Sequence, residues 1–139
     1  MIAADVMTAD PETVTPQATV SEAWELMRER SIRHVPVVQD GALVGMLSDR
    51  DLLFAEAGGL LVEGMLDPGR NRLAVPVLKV MSADVLSVEP ETELGEVISI
   101  MLEGRVGAVP VVRVGTREVV GIVSYVDVLR AAQELFEEK

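Results

Sequence analysis

The sequence predicts an α/β (α+β) chain built from two β-α-β-β-α repeats packed sheet to sheet about a pseudo-two-fold axis. Three observations predict it. The chain repeats its own sequence at an offset of 74 to 76 positions. Its apolar residues gather in short Val-rich runs, which suit buried strands. Those runs alternate with segments whose apolar residues recur at helical spacing. Apolar residues make up 49% of the 139 and aromatics only 3%. The core is therefore expected to consist of Val, Leu, Ile, Ala and Met, and Trp24 and the scattered Met residues are read as core or interface.

The repeat is visible by eye. Val6-Met7-Thr8-Ala9-Asp10 returns as Val80-Met81-Ser82-Ala83-Asp84, and thirteen of the 33 positions from Val6 to Val38 are identical at that offset. Composition alone would give about two or three. The match then resumes with two extra residues in the second copy, so that 44–53 align with 120–129. The insertion falls at Asp40-Gly41 versus Val114-Gly115-Thr116, where a hairpin turn is expected and a change of length is cheap.

Each repeat opens with a short strand around Val14 or Val88. A helix follows, about Val20–Arg30 or Leu94–Glu103, with Val20, Ala23, Trp24 and Met27 on one face of the first. Thr19-Val20-Ser21-Glu22 reads as a capping box, in which Thr19 accepts from a first-turn amide and Glu22 reaches back. Two strands joined by a tight turn come next, Val35–Val38 with Leu43–Leu47 and Val109–Val112 with Val119–Val123. They are nearly continuous apolar runs, so the sheet is expected to be covered on both faces. A last helix follows Ser48 or Ser124, and Gln133–Lys139 reads as its exposed acidic end. The organisation is repeat one at 1–57, a linker at 58–79 and repeat two at 80–139. Gly58-Gly59 and Asp67-Pro68-Gly69 are turn signals within the linker, and a short helix is expected to start at Pro76. Neither repeat is large enough to bury its apolar face alone, hence the expected packing of the two.

Charge and composition exclude several functions. A net charge of −11 disfavours nucleic acid and anionic lipid as partners. It also means that any site for an anion must supply local positive charge or admit a cation with the ligand. No cysteine is present, which removes disulfides, thiolate catalysis and zinc–thiolate sites. No apolar run reaches the roughly 18 residues of a membrane span, and Met1-Ile2-Ala3-Ala4-Asp5 does not resemble a signal peptide. A cytoplasmic protein with no membrane partner is expected. With one histidine and no Gly-x-x-x-x-Gly-Lys loop, no nucleophile–base pair stands out, and the chain is read as not an enzyme, with no cofactor required.

The chain resembles a tandem pair of cystathionine-β-synthase-type (CBS) domains. The residues that carry the resemblance are Val-Met-Thr/Ser at each repeat start and the runs His34-Val35-Pro36-Val37-Val38 and Ala108-Val109-Pro110-Val111-Val112. Gly45-Met46-Leu47-Ser48-Asp49-Arg50-Asp51 and Gly121-Ile122-Val123-Ser124-Tyr125-Val126-Asp127 complete the set. The likeness spans about Asp5 to Leu129. It implies a regulatory pair that binds AMP, ADP, ATP (with or without Mg²⁺) or S-adenosylmethionine in the clefts between its repeats, forms a homodimer, and acts on a downstream protein that is unknown.

On that likeness, Ser48 and Asp51, and Ser124 and Asp127, are the central candidates. Each pair sits where a strand ends and a helix begins. The Ser hydroxyl and first-turn amides can hold a phosphate, and the Asp can accept ribose hydroxyls. The same Ser-x-x-Asp pattern is also a plain helix cap worth about 1 kcal/mol, and the two uses can coexist. Arg33 and His34 fall where the family often places phosphate-binding residues, and Arg50 could reach the same phosphate. His34 could equally be a solvated strand-edge residue, and Arg50 an exposed first-turn residue. The second repeat has Gly107-Ala108 and Tyr125-Val126 at these positions, so two unequal sites are expected. The likeness places Thr15 with Ser124 and Asp127, with Ile32 and Val20 lining the base. Glu89 takes the matching place for the other cleft and disfavours a highly charged ligand there. The reading is a ligand sensor that signals by conformational change; the alternative is a ligand-free dimerisation or adaptor module.

Overall fold

The computed structural model describes residues 1–56 and 74–137. The expected turns at Gly58-Gly59 and Asp67-Pro68-Gly69 lie outside the described residues, as do the last two residues of the tail. The chain is α+β with two sheets, and it divides into two compact units. A first-repeat unit comprises Glu12–Asp40 and Val44–Asp84. A second-repeat unit comprises Met1–Pro11, Gly41–Leu43 and Val85–Lys139. Thus the segment that opens each repeat in sequence is built into the unit of the other repeat.

In the first-repeat unit, helix α2 (Val20–Arg30) precedes the hairpin β2 (His34–Gln39) and β3 (Ala42–Ser48), and helix α3 (Asp49–Glu56) follows. Thr19 Oγ1 accepts from the Glu22 amide at 3.1 Å, the Thr19 half of the expected capping box. Asp40 and Gly41 both adopt positive φ, the geometry of a two-residue turn that matches strand twist. Val14 adds to the outer edge of β2 as a single parallel bridge to Val37, in place of the expected short strand, and Ser82 bridges Met46 on β3. A 3-10 turn, Val77–Lys79, starts directly after Pro76 as expected. The core gathers Val20, Ala23, Met27, Val35, Val37, Leu47 and Leu52 with Val75 and Val77, and Trp24 packs against it.

The second-repeat unit repeats the plan. Helix α4 (Leu94–Gly104) leads to β4 (Ala108–Val112) and β5 (Val119–Ser124), then to helix α5 (Tyr125–Glu137). The N-terminal segment supplies a one-turn helix α1 (Ala3–Val6) and a two-residue strand β1 (Thr8–Ala9), giving the sheet order β1-β5-β4. Val88 bridges Val111 in parallel at the far edge. β4 is buried along its whole length, as its unbroken apolar run suggested. The Pro in each central strand lacks an N–H, yet its carbonyl is what the edge needs: Pro36 accepts from Val14 and Pro110 from Val88.

The exchange of opening segments explains why two motifs recur together. A Cβ on Gly121 would meet the Met7 sulfur and, at 3.2 Å, the Thr8 carbonyl. A Cβ on Gly45 would meet the Met81 sulfur and, at 2.9 Å, the Ser82 carbonyl. Each Val-Met-Thr/Ser segment therefore lies directly on the glycine of a β3 or β5 strand, and only a residue without a side chain lets it approach so closely.

Candidate functional site

Both Ser-x-x-Asp turns form reciprocal caps. At the end of β3, the Ser48 amide donates to Asp51 Oδ2 at 2.9 Å, and the Asp51 amide donates to Ser48 Oγ at 3.2 Å. At the end of β5, the Ser124 amide and hydroxyl both donate to Asp127 Oδ2, at 2.8 and 3.0 Å, while the Asp127 amide donates to Ser124 Oγ at 3.4 Å. These bonds satisfy donors that a helix start otherwise leaves without partners. The capping use of the pattern is present at both turns. It consumes one carboxylate oxygen in each. In Asp51 the cap uses Oδ2, and in Asp127 it uses Oδ2 while Oδ1 lies 3.9 Å from Arg130. A cap and a second acceptor thus coexist in one side chain.

A further bond sets what faces each turn. The Asp49 amide donates to the Arg33 carbonyl at 2.9 Å, and the Tyr125 amide donates to the Gly107 carbonyl at the same distance. The start of the last helix is therefore tied to the residue just before β2 or β4. In the first-repeat unit this brings Arg33, His34, Ser48, Asp49 and Asp51 together. Arg33 and Arg50 are exposed, and His34 is half-buried. Burial is the main influence on His34 and holds its pKa below the ordinary 6.5; Asp49 and Asp51 pull it back up, and Arg33 pushes it down. His34 is accordingly neutral at neutral pH. Asp49 was not among the sequence candidates. Its position in the first helical turn was the signal, because that amide reaches back to the strand start in both repeats.

Thr15 is exposed and stands elsewhere in the same unit. Val14 pairs with Val37, so Thr15 lies toward the hairpin end of β2, while Arg33 and His34 stand at its start. Ser124 and Asp127 belong to the second-repeat unit. One expectation is corrected. Val20 is 1% exposed and locked in its unit's core, so it offers no surface to a base; Ile32 is partly buried against the same core. Val20 is the first residue of α2, and its place on the apolar face decides for the core. Among the described residues no group of three or more His, Cys, Asp or Glu side chains could hold a metal, and no helix is long and apolar enough to cross a membrane.

Two α+β units with a strand-to-helix Ser-x-x-Asp turn in each define a duplicated domain. The CBS domain family model matches residues 3–58 and 77–134, and the chain belongs to that family. It is 32% identical over 123 residues to the CBS domain-containing protein YhcV of Bacillus subtilis, a match covering 88% of this chain and 79% of YhcV. It is 35% identical over 119 residues to an inosine-5'-monophosphate dehydrogenase of Korarchaeum cryptofilum, covering 86% of this chain but 22% of that enzyme. CBSX2 of Arabidopsis thaliana, solved in complex with AMP, superimposes with a TM-score of 0.79 at 29% identity, over 96% of this chain and 97% of CBSX2.

Proposed function

We propose that the chain is a cytoplasmic regulatory module, without catalytic activity, that binds an adenosyl ligand at its Ser-x-x-Asp turns and signals by a change of conformation. The carrying observation is that the Asp51 cap uses Oδ2 alone, in a turn that also gathers Arg33, His34 and Arg50. A carboxylate oxygen suits ribose hydroxyls, and a guanidinium and an imidazole suit a phosphate. AMP, with a single phosphate, fits this set better than a polyphosphate, which Glu89 would disfavour, and CBSX2, of the same family, is solved with AMP. The Ser124–Asp127 turn has no such cations in the corresponding places, so it favours an uncharged adenosyl group. Ligand would drive the change only as far as it binds one arrangement better than another.

The test is a thermal-shift series with adenosine, AMP, ADP, ATP with and without Mg²⁺, and S-adenosylmethionine. A ligand at about a hundred times its dissociation constant stabilises the fold by roughly 2.7 kcal/mol. AMP is expected to shift the wild type, and Asp51→Ala to lose the shift. A flat response across the panel would leave a ligand-free dimerisation module. One observation favours dimerisation in either case. Leu129, Leu135 and Phe136 on α5 are all more than half exposed, as are Leu53 and Phe54 on α3, and exposed apolar side chains of this kind are what a second copy would cover. Light scattering that finds a monomer at micromolar concentration would sink the homodimer.

A further inference from the structure

The second-repeat unit holds a pocket of about 350 Å³ that is separate from its Ser-x-x-Asp turn. It lies toward the hairpin end of β4, where Val112 lines it, whereas Ser124 pairs with Ala108 at the other end. Four strand residues, roughly 13 Å, separate the two. The volume falls within the ~300–1,000 Å³ range of small-molecule sites.

The pocket combines three chemistries. Val88, Val112 and Ile100 give it an apolar part. Glu89, from the strand-to-helix turn, and Glu96, from the first turn of α4, bring two carboxylates. Arg117, from the hairpin loop, brings a guanidinium. These opposite charges line one pocket, yet among the described residues no ion pair joins Arg117 to either glutamate.

The loop that carries Arg117 is firmly built. Arg113 and Glu118 close it with a backbone bond of 2.9 Å and a side-chain pair of 2.7 Å, and Thr116 Oγ1 donates to the Arg113 carbonyl at 2.8 Å. Arg117 is held twice. Its carbonyl accepts from the Leu43 amide at 2.8 Å, and its Nη1 donates to Ser87 Oγ at 3.1 Å. The guanidinium is therefore positioned with donors to spare.

Among the described residues this arrangement exists once. The first repeat has Thr15 in place of Glu89 and closes its hairpin with the two-residue Asp40-Gly41 turn, whereas the insertion in the second repeat lengthens the loop that bears Arg117.

We propose that this pocket binds an α-amino acid with an aliphatic side chain. Arg117 takes the carboxylate, Glu89 and Glu96 take the ammonium group, and Val88, Ile100 and Val112 take the side chain. A pure anion would face two glutamates in a chain of net charge −11, and a pure cation would face Arg117; a zwitterion answers both. The proposal does not rest on the adenosyl reading; the family likeness also draws Glu89 toward the Ser48–Asp51 cleft, so Arg117 is the residue that separates the two.

The test is a titration of the ¹⁵N-labelled chain with L-leucine, 4-methylpentanoate and 3-methylbutylamine, followed by amide shifts. L-leucine is expected to move the amides of 87–89 and 115–117, and each half-molecule to bind at least about tenfold more weakly. Arg117→Gln is expected to reduce leucine to the level of the amine. Glu89→Gln combined with Glu96→Gln is expected to reduce it to that of the acid. Equal binding of all three compounds by the wild type, or no shift at tens of millimolar leucine, overturns the proposal. AMP binding in Arg117→Gln is a separate readout, so either reading can fail without the other.

Discussion

At the Ser48 turn the capping aspartate shares its surroundings with Arg33, His34, Asp49 and Arg50; at the Ser124 turn the same places hold Gly107, Ala108, Tyr125 and Val126. The backbone does not register the difference. Both serine amides donate to the aspartate at 2.8–2.9 Å, and both helix starts are tied to the residue before the central strand at 2.9 Å. Cap geometry is thus specified by two residues, and the charge around the turn by four others. A duplicated chain can keep its frame while its two sites diverge in chemistry.

The largest effect should appear where that divergence is greatest. If the four neighbours set the charge preference, AMP binds more tightly than adenosine, and Arg33→Ala together with Arg50→Ala removes most of the difference. Charge-assisted hydrogen bonds of about 1.5–3 kcal/mol make this roughly a ten- to hundredfold change. Arg130→Ala, beside the other turn, should leave the ratio of AMP to adenosine affinity unchanged. Calorimetric titration of both variants decides it, and an unchanged ratio in the Arg33/Arg50 variant would break the comparison.

The second prediction compares the two glycines. Gly45→Ala places its new carbon 2.9 Å from the Ser82 carbonyl, closer than unrelated heavy atoms settle, while Gly121→Ala places it 3.2 Å from the Thr8 carbonyl. A methionine side chain can move aside; a backbone carbonyl in a bridge cannot easily do so. Overpacking of this kind costs about 1–3 kcal/mol. Gly45→Ala should sit at the upper end and Gly121→Ala below it, as read from urea midpoints. The reverse order would mean that β1, with only two residues, is held more rigidly than the Ser82 bridge.

These glycines also show where the sequence stops being legible. Helices α2 and α4 and the two hairpins could be placed almost to the residue, because an apolar face at helical spacing and a Val-rich run bounded by turn residues each have one good reading. The exchange of opening segments could not. A two-residue strand has no period, and Val6-Met7-Thr8 looks like a landmark rather than a pairing partner. The only clue was a glycine at the same strand position in both repeats. At the site, Ser48 and Asp51 were legible as a pair, and the double use of the carboxylate was a matter of which oxygen points where. Val20 was misread because an apolar residue opening a helix fits a ligand wall and a core equally well until its neighbours are known.

A smaller effect tests the caps themselves. Asp51→Ala and Asp127→Ala each remove a carboxylate that accepts from the serine amide, at about 1 kcal/mol. Asp127 also accepts from the Ser124 hydroxyl and is 10% exposed, so its loss should cost the more. Equal destabilisation in denaturant unfolding would show that the extra hydroxyl bond adds nothing net.

The smallest effect isolates His34, for which the second repeat has Ala108. Burial holds the folded-state pKa of His34 below its ordinary 6.5. As the pH falls through 6.5 the unfolded chain takes up a proton that the folded chain does not yet accept. Stability contributed by the neutral, buried imidazole is therefore present above that pH and declines below it, until the folded His34 protonates in turn. Asp49 and Asp51 oppose the shift, which keeps the effect small. His34→Gln should show a shallower loss of melting temperature between about pH 7.5 and 5.5 than the wild type, with all carboxylates common to both. A bound phosphate reverses the sense of the linkage. It favours the imidazolium, so as the pH falls toward the phosphate's own second pKa of about 6, AMP affinity in the wild type should gain relative to that in His34→Gln. Identical pH profiles for AMP in the two proteins would remove His34 from the site and leave Arg33 and Arg50 to distinguish the turns.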